Sequence, residues 1–137
     1  MTELPTVESQ LPEIKILAKQ ILTKLYCFDT VPNLNSLHRI DRRFAFKFHV
    51  ESDPDIFVKR HMLFIPIMPK EKVSGLPAFF RSIGCPYAIH HEVCHLLDLY
   101  IIDRYNLEMP SEEKLEERAT EVERLLENQE SELAGVW

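Results

Sequence analysis

The sequence predicts a single α+β domain with an N-terminal helix, a small β-sheet and two C-terminal helices. Three observations predict this fold class: apolar residues at helical spacing near the N-terminus, alternating aromatic residues in the middle of the chain, and two further helical stretches after residue 86. The length of 137 residues fits one domain over 1–137, with ends at about 1–10 and 128–137 that we expect to fray.

The first helix is predicted from Leu11 to Leu25. Apolar residues recur there every three or four positions, which is typical of a helix with one buried face. Ser9 and Pro12 stand where the cap and the first turn of this helix are expected.

The small sheet is predicted between residues 43 and 68. Phenylalanines alternate with other residues over 43–50, which indicates a strand with one buried face. The turn-forming segment 51–55 leads to a second strand-like stretch, 56–68, so we expect a hairpin or meander. Pro66 cannot donate to a ladder and is expected at a sheet edge or where pairing ends. An exposed edge could pair with a peptide.

Two helices are predicted in the C-terminal half of the chain. The stretch from Tyr87 to about Arg104 contains neither Gly nor Pro and is typical of one long helix. Ser111 is suited to cap the last helix. The apolar stripe of that helix is formed by Leu115, Ala119, Val122 and Leu126.

Composition narrows the classes of function and location. The net charge of −6 opposes broad attraction to nucleic acid or to anionic membranes. The chain starts without the basic and apolar regions of a signal peptide, and no apolar run approaches membrane length, so we expect a cytoplasmic protein. Three cysteines without C-x-x-C spacing indicate reduced thiols, and three glycines leave no room for phosphate-binding glycine motifs.

One motif carries chemistry. Residues 91–95 read HEVCH, which fits the pattern H-E-x-x-H. On a helix, His91 and His95 lie about 40° apart around the axis and one turn along it, so both imidazoles can reach one metal ion. Glu92 lies about 100° from His91, where a carboxylate can take a proton from a water that attacks a carbonyl. With 6 His and 16 Glu in the chain, the pattern is expected by chance roughly 0.03 times. It therefore predicts a zinc peptidase site.

A zinc site of this kind needs a third protein ligand. The metzincin arrangement requires a glycine and a histidine where this chain has Asp98 and Ile101, so that arrangement is excluded. Asp98 lies about 10.5 Å along the helix from His91, too far to share one ion with both histidines. We expect Asp98 to orient His95 instead.

The acidic last helix is the remaining source of a third ligand. Measured around the axis from Ala119, Glu116 lies about 60° away at the border of the buried face, whereas Glu117 points outward. Glu112 and Glu123 also project near that face. The helical geometry therefore leaves Glu112 and Glu123 as alternatives to Glu116.

A transition state with a developing oxyanion needs a hydrogen-bond donor, commonly a His or Tyr. Neither follows Glu116 in the sequence, so the donor is expected upstream. Tyr87 lies one turn before His91 on the same face and is the residue that we assign to this role. His49 and His61, on the predicted strands, are the alternatives. Cys85 and Cys94 are interpreted as buried thiols, not as ligands.

These residues resemble a known family. The motif of residues 91–95, followed 21 residues later by Glu116-x-x-Ala119-Thr120, resembles the gluzincin pattern of the ImmA/IrrE metallopeptidases, in which H-E-x-x-H precedes E-x-x-A-N. The likeness covers about 91–126, and the SprT-like and minimal gluzincin groups have neighbouring patterns. The resemblance implies a zincin-like fold with a short sheet before the metal helix and a glutamate helix after it.

The resemblance also implies roles and a class of substrate. It implies that His91, His95 and Glu116 bind Zn²⁺ and that Glu92 is the base. Because the family includes enzymes that cut a transcriptional repressor, it implies a zinc-dependent endopeptidase with a protein or peptide substrate, such as a regulatory protein. The alternative is a non-hydrolytic, metal-stabilised regulatory or interaction module that retains the zinc site.

Overall fold

The computed structural model describes residues 3–26, 40–50, 56–67 and 87–134, with backbone alone at 22–26, 48–50, 66–67 and 130–134. This part of the chain forms an α+β fold of three helices and a three-stranded mixed sheet, in agreement with the predicted fold class. In chain order the elements are α1 (Val7–Tyr26), β1 (Ala45–Val50), β2 (Phe57–Lys59), β3 (Met62–Ile67), α2 (Ala88–Arg104) and α3 (Glu112–Ala134).

Helix α1 begins four residues earlier than the sequence pattern predicts. Thr6 is the capping residue, because its Oγ1 accepts a hydrogen bond from the Ser9 N–H at 3.1 Å and its carbonyl accepts one from the Ser9 hydroxyl at 2.8 Å. The prediction of Ser9 as the cap is therefore wrong, and Pro12 lies inside the helix. Val7 is buried, which extends the apolar face by one turn toward the N-terminus.

The sheet has the strand order β1-β3-β2, which differs from the hairpin or meander predicted for 43–50 and 56–68. Strand β1 pairs with β3 in parallel, and β2 pairs with β3 antiparallel. The second segment is itself the hairpin and turns at Arg60, whose φ of 52° lies in the left-handed region. Composition indicated that both segments form strands, but it did not indicate that β1 pairs in parallel with β3, the second strand of this hairpin.

Pro66 lies where pairing with β2 has ended, as the sequence predicts. The antiparallel pairs run from Lys59 opposite Met62 to Phe57 opposite Phe64, two residues short of Pro66. The proline stands opposite His49 of β1 in the parallel register. The predicted turn at 51–55 lies outside the described residues.

Helix α2 is the centre of the fold. It packs against α1, against α3 and against the hairpin of β2 and β3. Because neighbours surround it, its buried residues lie on more than one face: Ile89, Val93, Cys94, Leu96, Leu97, Asp98 and Ile102. Phe44, the residue before β1, contacts Tyr100 edge to face, with ring centroids 5.6 Å apart, and so packs the start of this strand against the C-terminal half of α2.

Helix α3 lies along α2 through its predicted stripe. The Ser111 hydroxyl accepts a hydrogen bond from the Lys114 N–H at 3.2 Å, so Ser111 caps the helix as expected. The four stripe residues are all buried, and Ala119 and Val122 are fully so. The helix continues to Ala134, beyond the predicted end near residue 128. No helix within the described ranges is both long and apolar enough to cross a membrane.

A buried ion pair joins the three helices. Asp98 of α2 is 0% exposed, and its two carboxylate oxygens accept hydrogen bonds from the Arg118 guanidinium of α3 at 2.8 and 3.1 Å. The same guanidinium donates to the carbonyl of Pro5 at 2.7 Å and to Oε1 of Gln10 at 2.5 Å. One arginine therefore fixes α3 against α2 and against the start of α1.

We predict that Arg118→Met lowers the free energy of unfolding by about 3–5 kcal/mol, because it leaves the Asp98 carboxylate buried without a cation. Urea denaturation of both proteins measures the difference. Arg124→Met on the same helix is the matched control, since Arg124 is exposed and its contact with Glu121 at 3.6 Å contributes less than about 1 kcal/mol. Equal losses in the two variants would contradict the assignment.

Candidate metal centre

His91 and His95 present the same ring nitrogen to one point beside α2. Their Nε2 atoms are 3.3 Å apart, and their rings lie nearly perpendicular, at 73°. Four-residue spacing on a helix stacks the two side chains on one face, and the packing of α2 on its neighbours leaves the two side chains only 13% and 17% exposed. The histidine pair is therefore held by the core of the protein.

Glu116 completes the group from α3. Its Oε1 lies 2.9 Å from Nε2 of His91, and its Oε2 lies 3.1 Å from Nε2 of His95. Taking one ligand atom from each residue, all three lie within 4.8 Å of one another, and in the described part of the chain no other group of His, Cys, Asp or Glu meets this condition. The Glu116 side chain is 61% exposed, so the group is open to solvent on this side.

The two alternative glutamates occupy different places. Glu123 contacts His91 at Nδ1, the ring nitrogen that faces away from Glu116. Glu112 lies exposed in the first turn of α3 and is not part of the group. The structure thus brings Glu116, and not Glu112 or Glu123, to the point where both Nε2 atoms converge.

The surroundings shift the pKa values of the two histidines in opposite directions. Burial lowers the pKa of His91, but the carboxylates of Glu123 and Glu116 outweigh it, so that the pKa of His91 is raised. The pKa of His95 is lowered, first by burial and then by the neighbouring His91, although Glu116 opposes this. Without a metal ion, a proton is therefore held mainly by His91.

Glu92 lies beside the group and not in it. Burial raises the pKa of Glu92 to about 7, His91 opposes the rise, and the negative charges of Glu116 and Glu123 add to it. A carboxyl group with this pKa exchanges a proton readily near neutral pH, as a general base must. The position next to His91 on the helix is the one that the sequence pattern predicts for it.

Asp98 does not have the role expected from the sequence. Both of its oxygens are engaged by Arg118, and one of them lies 3.9 Å from the Cys94 thiol. Among the hydrogen bonds of the described residues, none joins Asp98 to His95, so the prediction that Asp98 orients His95 is wrong. An arginine 20 residues away in sequence competes successfully for the carboxylate, because a bidentate charged pair outweighs a single bond to a neutral imidazole.

The thiol of Cys94 is unsuited to bind a metal. It is fully buried, and burial, followed by the charge of Asp98, raises its pKa to about 12. The expected interpretation of Cys94 as a buried thiol agrees with this position. Cys27 and Cys85 lie outside the described residues.

The structure describes the side chains of two of the three candidates for the oxyanion donor. His61 bonds to Asp103 at 2.8 Å and packs edge-on against Tyr100, with ring centroids 5.9 Å apart, so it lies beside the C-terminal half of α2. Its ring is engaged by Asp103, and its role as the donor stays an alternative to that of Tyr87. Tyr87 precedes α2, is 8% exposed and packs edge-on against His90, with ring centroids 5.4 Å apart. Its assignment as the donor stays a prediction, and the His49 side chain is not described.

The sequence pattern did not predict the ion pair of Arg118 with Asp98 or the contact of Glu123 with Nδ1 of His91. Around the axis of α3, Arg118 lies about 100° from Ala119 on the side opposite Glu116, beside the apolar stripe. An arginine beside the apolar stripe of α3, together with Asp98 among the apolar residues of α2, is the sequence feature that indicates this ion pair. Glu116 and Glu123 project within about 20° of each other, which signals a shared side of α3.

Comparisons of this chain with protein-family models, with curated proteins and with solved structures found no match. The resemblance to the ImmA/IrrE pattern therefore rests on the motif residues and stays a prediction.

We predict that affinity for a divalent metal falls as the pH is lowered, because the metal competes with the proton that the carboxylates favour on His91. Below the raised pKa of His91, each competing proton weakens binding by about tenfold per pH unit. Zinc titrations at pH 6, 7 and 8, in buffers of different ionisation enthalpy, measure both the affinity and the protons released. Equal affinities at pH 6 and 8 would contradict this competition.

Proposed function

We propose that this chain is a zinc-dependent endopeptidase with His91, His95 and Glu116 as the metal ligands and Glu92 as the general base. One observation carries the proposal: two imidazole nitrogens and a carboxylate, supplied by two packed helices, converge within 4.8 Å beside a glutamate whose pKa is raised to about 7. Two histidines and one glutamate form a donor set that catalytic zinc sites use.

The spacing of the two imidazole nitrogens fits a tetrahedral ion. Two ligand atoms at 2.0–2.1 Å from a tetrahedral zinc lie about 3.3 Å apart. The Nε2 atoms here are 3.3 Å apart, which matches this separation. Each of them lies near a different oxygen of Glu116: Oε1 is 2.9 Å from His91 and Oε2 is 3.1 Å from His95. Without metal, the carboxylate of Glu116 bridges the two imidazoles. Loading the site therefore requires loss of protons and rotation of side chains, but no rearrangement of helices.

The residues of this chain divide the work of hydrolysis. When bound, zinc supplies Lewis acidity, which polarises a carbonyl and makes water acidic near neutral pH. His91 and His95 are held by the core and fix the position of the site on α2. Glu92 accepts the proton of the attacking water and can release it to the leaving amine, since its pKa lies near the working pH. The exposed side at Glu116 leaves room for an extended substrate.

A protein or peptide substrate is proposed on the strength of the sequence resemblance. The open approach at Glu116 favours it over a small molecule, which binds best in an enclosed and mostly apolar pocket. A cytoplasmic location, and no interaction with nucleic acid or membrane, follow from the composition and stay predictions.

The purified chain is predicted to bind about one zinc ion, and His91→Ala and Glu116→Ala are each expected to lose it. Elemental analysis after mild chelation and return of zinc measures the content. Glu112→Ala is the matched control, because it removes the same charge from the same helix outside the group, and it is expected to keep the ion. Zinc retained in Glu116→Ala would refute the ligand assignment.

Glu92→Gln is predicted to lower peptide hydrolysis at least 100-fold while leaving zinc bound, because the amide cannot accept the proton. Turnover is measured on a denatured protein mixture and on peptide libraries, with zinc content measured in parallel. Zinc-loaded wild type that cuts none of these substrates would favour a non-hydrolytic module.

The metal-free form of Glu92→Gln provides a control for folding. The folded pKa of Glu92, about 7, lies above its ordinary value of 4.5, so the stability that it contributes is present below pH 4.5 and is lost as the pH rises through 7. At pH 8, the free energy of unfolding of the metal-free variant should therefore exceed that of metal-free wild type by on the order of 1 kcal/mol, and this difference should shrink at pH 5. Urea denaturation measures both values. A variant less stable at pH 8 would mean that the lost turnover reflects damage to the fold.

A further inference from the structure

We infer that Glu123 is a positioning residue that fixes the ring and the tautomer of His91 for metal binding. The inference rests on the proposed metal centre and adds to it a carboxylate that acts through a ligand. The observation is the contact between Glu123 Oε1 and Nδ1 of His91, on the side of the ring opposite Glu116.

The chemistry of imidazole makes this contact consequential. A neutral histidine that offers Nε2 to a metal carries its hydrogen on Nδ1. The Nδ1 atom of His91 is buried, so a hydrogen there needs an acceptor within the protein. The Glu123 carboxylate is in contact with that nitrogen, but the two are not aligned as a hydrogen bond. A small rotation of the carboxylate lets it accept the Nδ1 hydrogen, which leaves the lone pair of Nε2 directed at Glu116 and His95. The carboxylate also makes the imidazole a stronger ligand.

The position of Glu123 on α3 explains how it reaches this nitrogen. Glu116 and Glu123 are seven residues apart, which places them on the same side of the helix about 10.5 Å apart along its axis. The ring of His91 lies between the two side chains, with one carboxylate at each nitrogen. Glu123 is 28% exposed against 61% for Glu116, so it is the more deeply placed of the two.

The test compares zinc affinity in four proteins with a chromophoric chelator as competitor: wild type, Glu123→Ala, Glu123→Gln and Glu127→Ala. We expect Glu123→Ala to bind zinc about 10- to 100-fold more weakly than wild type. Glu123→Gln should recover part of the loss, because its amide oxygen still accepts the Nδ1 hydrogen. Glu127→Ala removes an equal charge from the next turn, where the side chain is exposed, and should stay within about threefold of wild type.

A spectroscopic readout separates positioning from a general structural effect. In the zinc-loaded wild type, NMR of ¹⁵N-labelled histidine should show a His91 Nδ1 proton that is protected from exchange with solvent, and Glu123→Ala should lose that protection. Urea denaturation of the metal-free variants shows whether each one is folded. A merely structural role would lower stability without this change at Nδ1.

Three outcomes would overturn the inference. Equal zinc affinities in Glu123→Ala and Glu127→Ala would remove the role of Glu123 and leave the proposed metal centre standing. Zinc lost from Glu123→Ala but kept in Glu116→Ala would make Glu123 a ligand instead of a positioning residue. Wild type that binds no zinc would remove both the inference and the proposed function.

Discussion

The buried ion pair between Asp98 and Arg118 is the constraint on which the arrangement of the site depends. Asp98 lies one turn after His95 on α2, and Arg118 lies two residues after Glu116 on α3. A bidentate pair tolerates little sliding or rotation, so it sets the register of the two helices one turn away from the donors. A shift of one residue along α3 would turn Glu116 by about 100° away from the histidines. A buried ion pair adds little stability compared with well-packed apolar residues in its place, although removing one partner alone is costly. Specifying one register of the two helices is the role that best explains why a charge is buried here.

The negative charge of the protein is concentrated on the helix that supplies Glu116. Helix α3 carries nine glutamates and three basic residues, so its net charge of −6 equals that of the whole chain. Three carboxylates, those of Glu92, Glu116 and Glu123, influence the same histidine. Like charges this close oppose one another, which is part of the reason that Glu92 holds its proton up to a pH of about 7. A divalent cation would relieve this repulsion, so the unfavourable electrostatics of the metal-free protein favour metal binding.

Local pattern predicted the parts of this fold whose signals are local. The stripe of α3, the Ser111 cap and the convergence of residues four apart on α2 follow from helical spacing, and the structure reproduces them. In the parallel pairing of β1 with β3, the chain passes first to β2 on the far side of β3 and then returns, and alternation along a strand does not encode its partner. The choice of Arg118 over His95 as the partner of Asp98 is likewise a tertiary competition. Long-range strand pairing and buried polar contacts were therefore not predicted from the sequence, whereas the spacing of residues on single helices was.

The two halves of the candidate site differ in rigidity, and this difference bears on how a metal would enter. His91 and His95 project from the central helix and are mostly buried, so their positions are set by the core. Glu116 is mostly exposed, and a glutamate side chain has several accessible rotamers in solvent. An ion would therefore enter from the side of α3, where one side chain can swing away, and meet two nitrogens already in place. Because the donors belong to α2 and α3, a bound ion would also hold these helices together, and its binding free energy would add to the stability of the fold.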